Sequence, residues 1–393
     1  MGTASFLRGF ITISLLVASG MTGEQDSSHI ETVCYRERVS TNHLHSGKRI
    51  AIAGAGVMGL GMAYALRGED MTLFDPAGFP AESSASFMAG GMLAPWSEIE
   101  HLPDDFMEAA RRGVELWVRI IPAIKDKVEF HRNGSLIVAH PGDEYMLERL
   151  VQKIPPHAME RRENIATLEP GLSRFLTGVF IKDEAHIHPQ QALAALAKIP
   201  EKRVLESVNV DTLRREYDWV IDCRGLGAEE DDKELRGVKG ETVTVRNPEF
   251  SLFRPVRLMH PRYPLYIVPR PNHEFMIGAT VIESSDKTVT MKSAMELLSA
   301  AYSLHPSFAE SEIMAIRAGV RPAYPDNLPR ITVRDRVISC NGLFRHGFLL
   351  SPVMAECVAD YIAGRANPFI SLFIRSDHAD HDQRAVTGHR GHG

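Results

Sequence analysis

The apolar residues of this chain fall into short runs, alternating runs and helical stripes, and each pattern predicts a different element. Ile50, Ala51, Ile52 and Ala53 form an uninterrupted apolar run, the mark of a strand buried on both faces of a parallel sheet. Gly54, Gly56 and Gly59 follow, residues 58–66 continue as an apolar helix, and a second short strand over residues 71–74 ends in Asp75. Residues 219–223 read as another short strand meeting a glycine turn. Residues 238–245, 265–270 and 276–280 alternate apolar and polar, which predicts three strands. Phe106, Ala110, Val114, Trp117 and Ile121 recur at helical spacing over residues 105–121, a stripe that belongs to a core or an interface rather than to a cofactor. A last apolar helix runs from Gly347 to about Ile362.

The two ends lack this patterning. Residues 1–48 read as an N-terminal extension without a sustained period. Within it Arg8, the apolar run of residues 10–18, Ser19 and Gly20 have the outline of a secretory signal. The run is too short for a transmembrane helix, which needs about 20 apolar residues. A signal, a regulatory extension and a misassigned start are all compatible with it. Residues 368–393 form a polar tail carrying His378, His381, His389 and His392 at irregular spacing, a composition that favours disorder over a metal site.

Composition narrows the picture a little. The chain has 393 residues, 44% hydrophobic and 24% charged, ordinary proportions for a globular protein of two to four domains. Its formal net charge of -6 argues against a nucleic-acid partner, which a basic stripe would serve. Cys34, Cys223, Cys340 and Cys357 are scattered without CxxC spacing, giving neither a disulfide framework nor a zinc site and pointing to a reducing compartment.

The glycine cluster carries the first chemistry. Gly54, Gly56 and Gly59 make G-x-G-x-x-G between a strand and a helix. The first glycine permits the tight turn, the second lets backbone approach a pyrophosphate, and the third lets helix pack on sheet. Asp75, about 20 residues on, is placed to accept from a ribose hydroxyl. The motif by itself does not choose between FAD and NAD. After Asp75, however, residues 83–98 (SSASFMAGGMLAPWSE) form a run of small and apolar residues suited to passing tightly along a ligand.

With that run the chain resembles the D-amino-acid-oxidase superfamily of flavoproteins, and within it the glycine oxidases of thiamine biosynthesis. The resemblance extends over residues 49–367. Besides AGGMLAP it rests on YDWVIDCRGLGA (217–228), VKGETVTV (238–245), LYIVPR (265–270), MIGAT (276–280), IRAGVRPAYPDNLPRI (316–331) and NGLFRHGFLLSP (341–352). It implies an α/β plus α+β chain, a Rossmann-like FAD-binding domain interleaved with an antiparallel-sheet substrate domain. The FAD-binding domain takes residues 49–95, 165–237 and 316–367, and the substrate domain 96–164 and 238–315.

The resemblance also implies site residues. Arg321, in GVRP, matches the arginine that holds the substrate carboxylate, a task suited to a bidentate guanidinium. Tyr266 matches a tyrosine lining the substrate pocket, and Arg345 an arginine near both substrate and flavin. Pro264 stands where some glycine oxidases have a histidine, which weakens any histidine wall there. For FAD the implied contacts are Gly54, Gly56, Val57, Met58 and Gly59 at the pyrophosphate and Asp75 at the ribose. Ser84, Ser86, Gly90, Gly91 and Met92 come next, with Val208 at the adenine, Gly225, and Arg345, His346, Gly347, Phe348 and Leu349 at the ring. No cysteine matches a covalent attachment point, so the FAD is expected to be non-covalent. His186 and His188, an H-x-H pair before Pro189, match a family strand end without metal.

The implied reaction is oxidation of glycine to iminoacetate or glyoxylate, with dioxygen reduced to hydrogen peroxide. Arg321 would hold the substrate, and the imine would pass to a thiazole synthase. Sarcosine and small D-amino acids remain open as substrates. A non-catalytic nucleotide-binding protein and a flavin enzyme acting on tRNA are the competing classes. No membrane partner is expected, and the family implies a homo-oligomer. A chain exported unfolded could not carry FAD, and the N-terminus lacks twin arginines, so a cytoplasmic location is expected.

Overall fold

A computed structural model describes residues 47–261 and 265–375; the apolar run of residues 10–18, Pro264 and the tail histidines lie outside these. The run 50–53 sits at the centre of a six-stranded sheet, as a strand, Arg49–Ala53, with all four apolar residues fully buried. The order is Arg330–Arg334, Val337–Asn341, Trp219–Asp222, Arg49–Ala53, Asp70–Phe74, Lys202–Val204. All neighbours are parallel except the first pair. Alternate residues of the central strand reach opposite faces. Ile50 and Ile52 enter the large core under the helices Val57–Ala65 and Gly347–Ile362, while Ala51 joins Val220 and Leu213 in a smaller cluster. An uninterrupted apolar run is what a two-sided strand needs.

The alternating segments build a second, nine-stranded sheet. Its order is Ile282–Glu283, Arg236–Arg246, Glu274–Gly278, Leu265–Arg270, Val256–Met259, Ser135–Ala139, Gly178–Ile181, Met159–Arg162, with Glu312–Ala323 also paired to Arg236–Arg246. Val243, Val245, Ile267, Phe275 and Ile277 face one way, against Leu297, Ala300, Ala301 and Leu304 of the helix Met291–Leu304. The residues between them, Gly240, Thr242, Tyr266, Met276 and Gly278, face the other way and line a cavity. The period of two thus separates core from site on the same strands.

Two strands depart from the division read in the sequence. Glu312–Ala323 crosses the boundary drawn at 315/316 and pairs along its length with Arg236–Arg246. Gly178–Ile181, within the segment 165–237 assigned to the nucleotide domain, pairs with Ser135–Ala139 in the nine-stranded sheet. The sequence division followed motifs that face the cofactor, whereas sheet membership follows hydrogen bonding.

The stripe at 105–121 is a 3-10 turn, Asp104–Phe106, leading into the helix Met107–Ala123. Phe106, Ala110, Val114 and Trp117 are buried and Ile121 sits half-buried at its end. Trp117 donates its indole N–H to the Phe348 carbonyl at 2.6 Å, and a Cβ on Gly113 would stand 1.9 Å from the Leu349 carbonyl oxygen. This helix therefore presses directly on the N-terminal turn of Gly347–Ile362. No described helix is long and apolar enough to cross a membrane.

Candidate active site

The two sheets meet along a cavity of ≈ 480 Å³. Of the residues singled out in the sequence, Gly54, Gly56, Val57, Met58, Asp75, Ser84, Ser86, Gly90, Gly91, Met92, Val208, Gly225, Tyr266, Arg321, Arg345, His346, Gly347, Phe348 and Leu349 all line it. Gly59 does not. It lies one turn into the helix, where a Cβ would stand 1.8 Å from the Gly54 carbonyl oxygen, so its role is close helix-to-strand packing rather than ligand contact.

At one end the polypeptide offers backbone. Gly54 has φ 107° and donates to the Phe74 carbonyl at 2.8 Å; a Cβ there would meet the Cys223 carbonyl oxygen at 2.4 Å. Only glycine tolerates both conditions. Asp75 is buried, and its two oxygens accept from the N–H groups of Ala55 and Ala77, each at 2.7 Å. It therefore shapes the glycine turn and retains lone pairs for a ligand hydroxyl. The helices Val57–Ala65 and Gly347–Ile362 both begin at the cavity, and a Cβ on Gly347 would be 3.4 Å from Val57 Cγ1. Two helix N-termini side by side favour an anion or a developing negative charge.

The small-residue segment 83–98 runs between these ends. Ser86 Oγ accepts the Val57 N–H at 3.0 Å, and Ser84 Oγ accepts that of Phe87 at 3.2 Å. Gly91 has φ 66°, and a Cβ would meet the Ile187 carbonyl oxygen at 2.1 Å. Arg270, which sequence reasoning passed over, holds this segment from behind. It donates to the Gly90 carbonyl at 2.5 Å and the Ile187 carbonyl at 3.1 Å, and burial pulls its pKa down to about 10. An arginine closing the apolar strand LYIVPR was the available signal.

The other end is made of side chains. Arg321 donates to the Thr280 carbonyl at 3.2 Å, and no acidic side chain among the described residues pairs with it. Burial, then the neighbouring Arg345 charge, lowers its pKa to about 10, so it stays cationic at neutral pH. Its guanidinium lies over Gly240, where a Cβ would be 2.1 Å from a terminal nitrogen. Tyr266 is buried with its hydroxyl unpartnered. Arg345 pairs with Glu98, its Nη2 lying 3.0 Å and 3.3 Å from the two carboxylate oxygens. His346 is buried with Nε2 unpartnered, and desolvation lowers its pKa to about 4, which keeps the imidazole neutral.

Glu98 and Glu184 were also missed. Glu184 is fully buried and accepts from the N–H groups of Trp96 (2.9 Å) and Ser97 (2.6 Å) and from Ser97 Oγ (2.6 Å), with a pKa pushed up to about 7 by burial. It fixes the chain just before Glu98. His186 and His188 lie elsewhere: His186 stacks on His131 at 5.2 Å, and burial lowers their pKa values to about 3 and about 4. Among the described residues no group of His, Cys, Asp and Glu side chains is placed to hold a metal ion.

A glycine turn at the end of a largely parallel sheet and two helix N-termini on one cavity, with two arginines on its wall, are features suited to a dinucleotide cofactor. The chain belongs to the FAD dependent oxidoreductase family, DAO, which it matches over residues 49–361. It is 44% identical over 317 residues to a Rhizobium etli protein that bears the provisional name thiamine biosynthesis oxidoreductase ThiO, covering 79% of this chain and 95% of that one. A glycine oxidase of Bacillus licheniformis is 27% identical over 84% of this chain and 96% of its own length. The crystal structure of glycine oxidase from Geobacillus kaustophilus superposes with a TM-score of 0.71 at 23% identity, covering 84% of this chain and 99% of that one.

The residues present fit FAD. Gly54 and Gly91 leave no room for a side chain, Asp75 has spare acceptors, and both helix N-termini open on the same cavity. The protein is an FAD-dependent flavoenzyme.

Proposed function

We propose that the protein is an FAD-dependent amino-acid oxidase that converts glycine to iminoacetate, and by hydrolysis to glyoxylate, within thiamine biosynthesis. The unpaired guanidinium of Arg321 on the cavity wall carries this reading. A half-buried cation without an acid beside it is costly unless a ligand anion completes it. A carboxylate there would take the bidentate pairing that Thr280 leaves open. Tyr266, paired directly opposite Gly278, stands on the same wall, with a buried hydroxyl that has no partner among the described residues.

FAD, held by the glycine turn and the segment 83–98, would supply the two-electron oxidation of the substrate's Cα–N unit, with dioxygen as final acceptor and hydrogen peroxide as product. This chain's residues do the rest. Arg321 and Tyr266 hold and orient the carboxylate, the nine-stranded sheet walls one side of the cavity, and the N-terminus of Gly347–Ile362 stabilises negative charge arising beside it. No described side chain is needed as a base when the amine arrives neutral. The names of the two relatives support glycine as substrate and a place in thiamine biosynthesis.

Anaerobic mixing of the FAD-loaded protein with glycine, sarcosine and D-alanine tests this: glycine should bleach the flavin fastest. Arg321→Ala should raise the glycine KM by about a hundredfold while FAD stays bound, the loss expected for a charged hydrogen-bonded contact. Unchanged kinetics in that variant, or bleaching by sarcosine or D-alanine alone, would overturn the assignment.

A further inference from the structure

Among the described residues four basic side chains line the cavity: Arg224, Lys287, Arg321 and Arg345. Arg224 is held by Asp222 at 2.7 Å and Asp231 at 2.6 Å, and Lys287 is exposed on the loop before Thr288. The remaining two stand at the substrate end and differ in one respect. Arg345 is ion-paired with Glu98, whereas Arg321 has no ion pair among the described residues and feels the Glu98 charge only as the weakest influence on it. Resting on the oxidase reading above, we propose that Glu98 sets the charge of the substrate subsite. It neutralises Arg345 and leaves Arg321 as the one guanidinium there free to take a carboxylate, so the site accepts monocarboxylate amino acids and excludes dicarboxylates.

The geometry supports a fixed role for Glu98. Both carboxylate oxygens lie within reach of Arg345 Nη2, at 3.0 Å and 3.3 Å, and both side chains are largely buried, 11% and 18% exposed. Its chain neighbours prevent it from swinging aside. Trp96 and Ser97 are bound through their N–H groups to Glu184, and Arg257 takes the Ser97 carbonyl and pairs with Glu100 at 3.0 Å. Burial alone would raise the Glu98 pKa, but the Arg345 and Arg257 charges outweigh it and hold the carboxyl below its ordinary range. The group is therefore an anion throughout the neutral range. A substrate carrying a second carboxylate must displace Glu98 from Arg345 or lie against it, and like charges in a poorly hydrated site repel strongly. Removing the Glu98 charge exposes a second guanidinium beside the first and creates a dicarboxylate subsite.

The test uses the full FAD-loaded protein and two ligands that cannot be oxidised, acetate and malonate, titrated through their perturbation of the flavin spectrum. In the wild type acetate binds and malonate binds at least about tenfold more weakly. Glu98→Gln should tighten malonate by about tenfold or more, with acetate changed less than about threefold, the size expected for one gained charge-assisted contact. The gain should vanish in the Glu98→Gln/Arg345→Gln double variant. A second arm does not depend on Glu98→Gln folding: Arg321→Gln should weaken acetate about a hundredfold, and Arg345→Gln, which leaves Glu98 an unpaired anion at the site, should weaken malonate by a larger factor than acetate. Malonate binding unchanged in folded, yellow Glu98→Gln protein overturns the proposal, as does an Arg345→Gln variant that binds malonate as well as the wild type does. Either result leaves the oxidase reading intact if glycine still bleaches the wild type. A wild type that binds no monocarboxylate and is not bleached by glycine overturns both.

Discussion

The two ends of the cavity are built from different parts of the polypeptide. Around Gly54, Gly56 and Gly91 the wall is backbone: turns with positive φ at Gly54 and Gly91, N–H groups at helix starts, and no room for a Cβ at those two glycines. Around Arg321 the wall is side chain, with a guanidinium, a phenol, an imidazole and an Arg345–Glu98 pair drawn from separate segments. A phosphate-bearing cofactor is common to many enzymes and can be held by groups that every residue possesses. A particular small substrate needs groups that only particular residues possess. The backbone end should therefore tolerate almost no added atoms, while the side-chain end should respond to charge and pH.

The largest effect is expected at Gly59. An added methyl would stand 1.8 Å from the Gly54 carbonyl oxygen, so Gly59→Ala must part helix from strand, at a cost of roughly 3 kcal/mol or more. Purified Gly59→Ala protein should be colourless with a lowered Tm. A yellow protein of wild-type Tm would show that the backbone end is not closely packed.

Next comes Glu184, which supports the side-chain end. Its pKa is raised by burial from 4.5 to about 7, so between those values the native state holds a proton that the unfolded chain has released. Its contribution to stability is present below about pH 4.5 and is lost as pH rises through about 7, a change of roughly 3 kcal/mol. Glu184→Gln does not titrate. Its Tm relative to wild type should climb across that window and then level off, and a pH-independent difference would contradict the assignment.

Arg270 sharpens the comparison because it is a side chain serving the backbone end. Arg270→Met removes the donors to the Gly90 and Ile187 carbonyls and should weaken FAD binding by about tenfold, measured by titrating apoprotein. Glycine KM at saturating FAD should stay within about threefold. If KM moves and FAD affinity does not, Arg270 belongs to the substrate end. The smallest change is Trp117→Phe, which deletes the indole donor to the Phe348 carbonyl and should cost about 1 kcal/mol, seen as a Tm lower by a few degrees.

The contrast between the ends also explains what could be read in advance. Gly54, Gly56 and Asp75 fall within one strand–turn–helix–strand unit, and their geometric demands leave a local mark. The alternation in 265–270 and 276–280 predicted both strands, found at Leu265–Arg270 and Glu274–Gly278, whereas Tyr266 was placed at the pocket only by resemblance. Arg321 was reached through resemblance, since nothing in GVRP by itself distinguishes it from a surface arginine. The helix at 107–123 was legible as a stripe, but its seat on Phe348 and Leu349 was not.

By itself the sequence determined the elements whose requirements are local: the glycine turn, the two-sided strand, the alternating strands and the apolar helix at the far end. These follow from φ preferences, from the absence of a Cβ and from the spacing of apolar residues. Only the tertiary structure decided which charges are spent and which are free. Glu98 meets Arg345 across 247 residues, Arg270 meets Gly90 across 180, and Glu184 meets Trp96 across 88. Such pairings depend on strand register and sheet packing, which accumulate over the whole chain, and no local pattern records them. Arg321 and Arg345 look alike in the sequence; a buried carboxylate beside one of them makes them different.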